Sequence, residues 1–191
     1  MSDRNVAANQ LLPQRSPQSQ PSPDEDCLNM FQKQLDYIHR TFRRLGVSSW
    51  EIEDLAQDLF LVLQRSWAEY DQQRPIRPYL FGIAFRLASA HQRKHKREIA
   101  FGTIEADDDG AWPDALLQTK QAREIVLAAL KWIPLPRRAA LVMHDLDQIP
   151  VAEIATVLAI PLFTVYSRLR KARCELEVAV RRAVQRVDID I

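Results

Sequence analysis

VAEIATVLAIPLFTVYSRLRKAR, residues 151–173, decides how this chain is read. Val151, Ile154, Ala155 and Leu158 recur at the spacing of one helix face. The pattern breaks at Ala159-Ile160-Pro161. It resumes as Val165, Leu169, Ala172 and Leu176, the inner stripe of a longer helix. The outer side of that helix carries Thr164, Ser167 and Lys171, flanked by Arg168 and Arg170, with Arg173 close behind. Two helices broken at a proline, the second showing hydroxyls and cations outward, form the pattern of a helix-turn-helix. Its second helix would lie in a DNA major groove, where N-terminal side chains read base edges and cations hold phosphates. An ordinary helical hairpin with a solvated face is the competing reading.

Working upstream, Pro136 suits the first turn of a helix carrying Ala139, Ala140, Val142 and Met143. The 191 residues contain 47% hydrophobic residues and only 4 Gly. Ala, Leu, Arg, Glu and Gln are abundant and no alternating β-branched run occurs, so the fold class expected is all-α. The net charge of +1 hides a strong asymmetry: +4 over 86–98, −5 over 105–114 and +5 over 164–186. Residues 1–25, rich in Gln, Ser and Pro, read as a disordered tail. Two helical domains are expected at 26–98 and 119–187, the second holding the helix-turn-helix, joined by an acidic flexible linker at 99–118. Cys27 and Cys174 give neither a disulfide framework nor metal spacing, so a reducing cytoplasm is the expected location. No signal peptide or membrane span is expected.

In the first domain, Ser48 or Ser49 can cap a helix starting at Trp50. Ile52, Leu55, Ala56, Leu59, Val62 and Leu63 fall on its core side. Asp54, Gln57 and Leu61 point away, with Asp58 and Phe60 on the flanks. An exposed leucine ringed by carboxylates and amides suits a protein contact, although a lone surface leucine needs no explanation. The next helix is expected at about 78–97, roughly 30 Å long. Its inner stripe is Leu80, Ile83, Ala84, Leu87 and His91. Tyr79, Arg86, Arg93 and Arg97 lie within about 40° of one another on another side, beside Gly82 and Ser89. Spaced cations plus an aromatic suit a nucleic-acid strand, with phosphates neutralised and an unpaired base stacked. Basic residues completing the helix dipole explain Lys94 to Arg97 equally well, but not Arg86 in mid-helix. His91 and His95 have the i, i+4 spacing of metal ligands, yet no carboxylate or thiol accompanies them, so no metal is expected.

These motifs together resemble the extracytoplasmic-function (ECF) sigma factors, small two-domain bacterial transcription initiation factors. Asp54-Leu55-Ala56-Gln57-Asp58-Leu59-Phe60 is similar to the family's DLVQEVF segment, and Arg77-Pro78-Tyr79-Leu80-Phe81-Gly82-Ile83-Ala84 to FRAWLYRIA. Residues 151–169 resemble YEEIAEILGIPVGTVKSRL. The resemblance implies that Asp54, Leu55, Gln57, Asp58, Phe60 and Leu61 meet the clamp helices of core RNA polymerase. It implies a −10 set of Arg77, Tyr79, Arg86, Arg93, Lys94, Lys96 and Arg97. A −35 set of Thr164, Ser167, Arg168, Arg170, Lys171 and Arg173 follows in the second domain, and the polymerase surfaces implied as partners are the clamp helices and the flap. The acidic linker would thread near the polymerase active centre, as a nucleic-acid mimic or as a plain spacer. An anti-sigma partner becomes plausible, and the free chain is expected to be a monomer with no membrane contact of its own. Departures fall at Tyr79 (Trp in the family), Arg86 (Asn), Ala90 (Asp), Ala159 and Phe163 (both Gly) and Tyr166 (Lys).

No nucleophile–base pair, phosphate-binding glycine loop or metal cluster is legible, so neither catalysis nor a cofactor is expected. The expectation is a specificity subunit for promoter recognition. A stand-alone helix-turn-helix regulator is the alternative, and it would need dimer symmetry for useful specificity. An adaptor using only the Leu61 face is a third.

Overall fold

Apolar residues at helical spacing build seven α-helices among the residues described by the computed structural model, 23–100 and 118–187. The first three are α1 (Pro23–Arg44), α2 (Ile52–Ser66) and α3 (Ile76–Ala100). The others are α4 (Gln118–Lys131), α5 (Leu135–Leu141), α6 (Val151–Val157) and α7 (Leu162–Val187). No strand occurs among the described residues. The acidic run 105–114 and residues 1–22 of the expected tail lie outside them.

The first unit is a three-helix bundle of α1, α2 and α3. Leu59 and Leu63 of α2 close on Ile38 and Phe42 of α1 and on Leu80, Phe81 and Ile83 of α3, all essentially inaccessible to solvent. Each such side chain contributes about 1.5–3 kcal/mol of transfer free energy. Two details differ from the sequence reading. A short 3₁₀ turn, Ser49–Glu51, precedes α2, and Ser48 makes no side-chain capping bond. α3 buries more than its expected stripe. Phe81, Gly82 and Ala88 are buried because α1, α2 and α6 all pack on it.

In the second unit α7 packs against α4, α5 and α6. α6 and α7 meet at a bend of 105°, the geometry of a helix-turn-helix. Ala159 forms the turn with φ +51°, left-handed backbone that the β-carbon disfavours. A π-helical turn, Val142–Leu146, follows α5. Its wider hydrogen bonding, with the Asp147 N–H donating to the Val142 carbonyl at 3.0 Å, inserts a residue that a 3.6-residue period cannot foresee.

The two units touch. One apolar core runs from α1–α3 into α5–α7. Arg138 of α5 is 4% exposed and donates to the Leu45 carbonyl of the first unit, and also to Ile133 O (3.1 Å) and Lys131 O (2.6 Å). Gly46, at φ +84°, makes room: a β-carbon there would fall 2.1 Å from Arg138 Nη1. The Tyr37 hydroxyl donates to Asp147 Oδ2 and Arg44 Nη1 to Oδ1, both at 2.8 Å.

Candidate nucleic-acid and protein interfaces

The outer face of α2 comes first. Its inward residues fix its roll, leaving Asp54, Gln57, Asp58 and Leu61 exposed, Leu61 at 47%. Phe60 is half-buried, its ring 4.9 Å from Phe31. Leu55 is a correction: it is 7% exposed, because it also lies on the core stripe. It supports this face from behind and cannot belong to it.

On α3, Arg86, Arg93, Lys96 and Arg97 are exposed. Lys94 pairs with Glu98 at 3.8 Å, an exposed i, i+4 contact of small worth. Arg77 leans back on α1, its Nε donating to Gln34 (3.2 Å) and its guanidinium 5.3 Å from the Tyr37 ring centre. Tyr79 is half-buried and not outward, since its hydroxyl donates to Ser66 Oγ at 2.7 Å. Its ring lies 4.8 Å from Tyr70, which stacks on Trp67. His91 is half-buried and meets Glu51 at 2.8 Å.

A feature without a sequence signal is the cavity of about 420 Å³ beside these aromatics. Tyr70, Asp71 and Arg74 from the loop before α3, Tyr79 and Arg86 from α3, and Glu153 and Val157 from α6 line it. Burial raises the Tyr70 phenol above its usual 10.0, with Asp71 adding to the effect. Its ring offers a flat face among Arg74, Arg86 and the carboxylates Glu69, Asp71 and Glu153, suited to stacking a planar ring. The Tyr70 loop lacks helical periodicity, so the sequence reading passed over it.

The bent α6–α7 pair presents a different surface. Lys171 and Arg170 are exposed; Thr164 and Ser167 are half-buried. Arg168 is partly buried beside the Pro136 carbonyl (3.5 Å), and desolvation lowers its pKa. Arg173 needs correction as a free phosphate contact. It grips Asp145 bidentately, Nε to Oδ2 at 2.9 Å and Nη2 to Oδ1 at 2.7 Å. That grip holds the Asp145 carboxyl below its usual 3.8. Two residues treated as mere departures are the most prominent here: Phe163 is 81% and Tyr166 57% exposed at the helix start. Exposed aromatics at a helix N-terminus suit apolar contact with thymine methyls.

Behind this helix lies a hollow of about 460 Å³, lined by Trp132, Pro134, Val178, Ala179 and Cys174. Trp132 is 60% and Val178 48% exposed. An apolar hollow with a wet aromatic rim suits a protein segment. Among the described residues, no three His, Cys, Asp or Glu side chains converge as a metal site.

Comparison with known proteins matches these two units separately. The Sigma-70 region 2 family matches residues 30–98, and the Sigma-70 region 4 family residues 123–176. The ECF RNA polymerase sigma-E factor of Escherichia coli K12 is 25% identical over 151 residues, covering 73% of this chain and 79% of that protein. The ECF RNA polymerase sigma factor SigW of Bacillus subtilis is 28% identical over 160 residues, 76% of this chain and 84% of its own. Among solved structures, the sigma factor RpoE bound to the anti-sigma factor NepR, from Bartonella quintana, has the same fold. Its TM-score is 0.69 at 17% identity over 82% of this chain and 97% of that one. CnrH, solved with the cytosolic domain of CnrY, gives 0.59 at 17% identity over 82% of this chain and 88% of its own. Two Sigma-70 regions, on a fold shared with a solved sigma factor, lead to one assignment: the chain is an RNA polymerase sigma factor and belongs to the ECF family.

Proposed function

We propose that the chain acts as the promoter-specificity subunit of bacterial RNA polymerase, with labour divided between its two units. Residues 26–98 would dock on the polymerase clamp through the exposed Asp54, Gln57, Asp58 and Leu61, with Phe60 at the edge. The same unit would capture the opened −10 strand along Arg86, Arg93, Lys96 and Arg97, with one unpaired base in the Tyr70–Tyr79 cavity. Residues 119–187 would hold the −35 duplex through Lys171, Arg170 and Ser167, Phe163 and Tyr166 adding apolar base contacts. The Trp132–Val178 hollow would seat the polymerase flap. The acidic linker 99–118 would join the two units along the polymerase surface. The observation that carries this reading is the pairing of a long helix that exposes Arg86, Arg93, Lys96 and Arg97 beside the Tyr70 and Tyr79 rings in one unit with a bent helix pair, its second helix basic on the outside, in the other. Single-stranded and double-stranded DNA demand different surfaces, and a promoter presents both at once.

In this role the chain performs no chemistry of its own, and it works in the cytoplasm, where polymerase and promoters are. The sigma factor RpoE, solved bound to the anti-sigma factor NepR, supports a regulatory partner of that class here. A stand-alone regulator is disfavoured by the region 2 unit, which such a protein does not need. Run-off transcription from genomic promoter fragments tests the proposal. Core polymerase with the chain should start discrete transcripts that core alone does not. Identical product patterns with and without the chain would end it.

A further inference from the structure

We propose that the chain selects its upstream duplex element through thymine methyl groups, gripped by Phe163 and Tyr166, rather than through a hydrogen-bond code; this rests on the duplex-binding reading above. A helix laid in a major groove brings its N-terminal residues to the base edges. At that end of α7 the exposed side chains are Leu162, Phe163 and Tyr166, at 47%, 81% and 57%. Three large apolar side chains within one turn and a half form a patch, unlike a surface residue standing alone.

The polar side chains of the same helix are committed elsewhere. Thr164 and Ser167 are half-buried. Arg168 is partly buried beside the Pro136 carbonyl at 3.5 Å. Arg173 holds Asp145 through two hydrogen bonds, at 2.9 and 2.7 Å. Arg170 and Lys171 are exposed, but they lie about 10–12 Å past Phe163 along the helix axis. They suit phosphates or a base further along the groove. The Tyr166 hydroxyl is the one exposed donor near the start of the helix, and it sits at the tip of an apolar ring.

The chemistry of the groove then fixes the base. Thymine alone places an apolar group, its C5 methyl, in the major groove; the other bases offer hydrogen-bond donors and acceptors there. A ring pressed on a methyl buries two apolar surfaces. The same ring pressed on an amino group or a carbonyl leaves that group desolvated and unpaired. Phe163 and Tyr166 therefore favour thymine and reject the other bases by one contact.

Competition binding tests this with holoenzyme, core plus full chain, on a synthetic duplex carrying one promoter that the run-off assay yields. Deoxyuridine, which pairs as thymine does and lacks only the methyl, replaces single thymines across the upstream protected segment. Loss of a contacted methyl should weaken binding about fourfold, the effect of burying one carbon-sized apolar group. Deoxyuridine outside the segment should change binding less than about twofold. Phe163→Ala and Tyr166→Ala, both at exposed positions, should keep the parent's melting curve and each abolish the penalty at its own thymine. Tyr166→Phe should keep every penalty, because the ring and not the hydroxyl makes the contact. No penalty at any thymine, with Lys171→Ala still weakening upstream protection, would overturn the methyl reading and leave duplex binding standing. Penalties undiminished in both alanine variants would overturn the assignment to these rings. Absence of upstream protection, with Phe163→Ala and Lys171→Ala both at the parent's level, would sink the duplex reading and this proposal with it, leaving the patch as a protein-docking face.

Discussion

Replacing Arg138 by methionine isolates a buried cation whose acceptors are all main-chain carbonyls. Its guanidinium donates to Leu45, Ile133 and Lys131 carbonyls. Burial lowers its pKa from 12.5 to about 10, so it remains charged at neutral pH. At about 1.4 kcal/mol per pKa unit, that desolvation opposes folding by roughly 3 kcal/mol, which methionine relieves. Against this stand three hydrogen bonds from a charged donor, each worth about 1.5–3 kcal/mol. The bonds win. One core spans both units, so Arg138→Met should destabilise the whole 191-residue chain by about 3 kcal/mol, a fall in melting temperature of about 6–12 °C. Thermal unfolding followed by circular dichroism measures it. A variant as stable as its parent would refute the view that this cation ties α4 and α5 to the Leu45 turn.

Ala159→Gly should stabilise the second unit by about 0.5–1 kcal/mol, since a left-handed φ of 51° strains alanine more than glycine's extra unfolded entropy costs; urea midpoints decide it. Leu61→Asp should leave the melting curve within about 0.5 kcal/mol of the parent, as expected for an exposed position, yet abolish co-elution with core polymerase. Asp145→Asn should release Arg173 toward phosphate and strengthen −35 duplex binding, with a steeper salt dependence by gel shift. The parent should lose the Asp145–Arg173 contribution as pH falls below 3.8 through the lowered carboxyl pKa, and the variant should lack that acid-side loss.

What the sequence made legible was the part governed by period. The stripes Leu55–Leu59–Leu63 and Val165–Leu169–Ala172 are buried as their spacing requires. Leu61 and Lys171 are outward for the same reason. Period says nothing about an element packed on three sides, so Phe81 and Ala88 were missed in α3. Nor does it register a π-turn, whose inserted residue shifts everything that follows. The Asp147 contact joins α1 to the second unit across more than 100 positions through polar atoms, which read in sequence as ordinary surface charge. Arg173 shows the converse: a cation on a basic helix is available to DNA only if no carboxylate has already claimed it. Phe163 and Tyr166 were visible as departures from a pattern, but only their exposure marks them as contacts.

The division of labour itself is tested most directly by footprinting holoenzyme on one promoter with paired variants. Arg86→Ala should abolish permanganate reactivity of unpaired thymines at −10 while −35 protection persists. Phe163→Ala with Lys171→Ala should erase −35 protection while polymerase association persists. Equal loss at both elements from either variant, or loss at neither, would contradict the assignment of one unit to the melted strand and the other to the duplex.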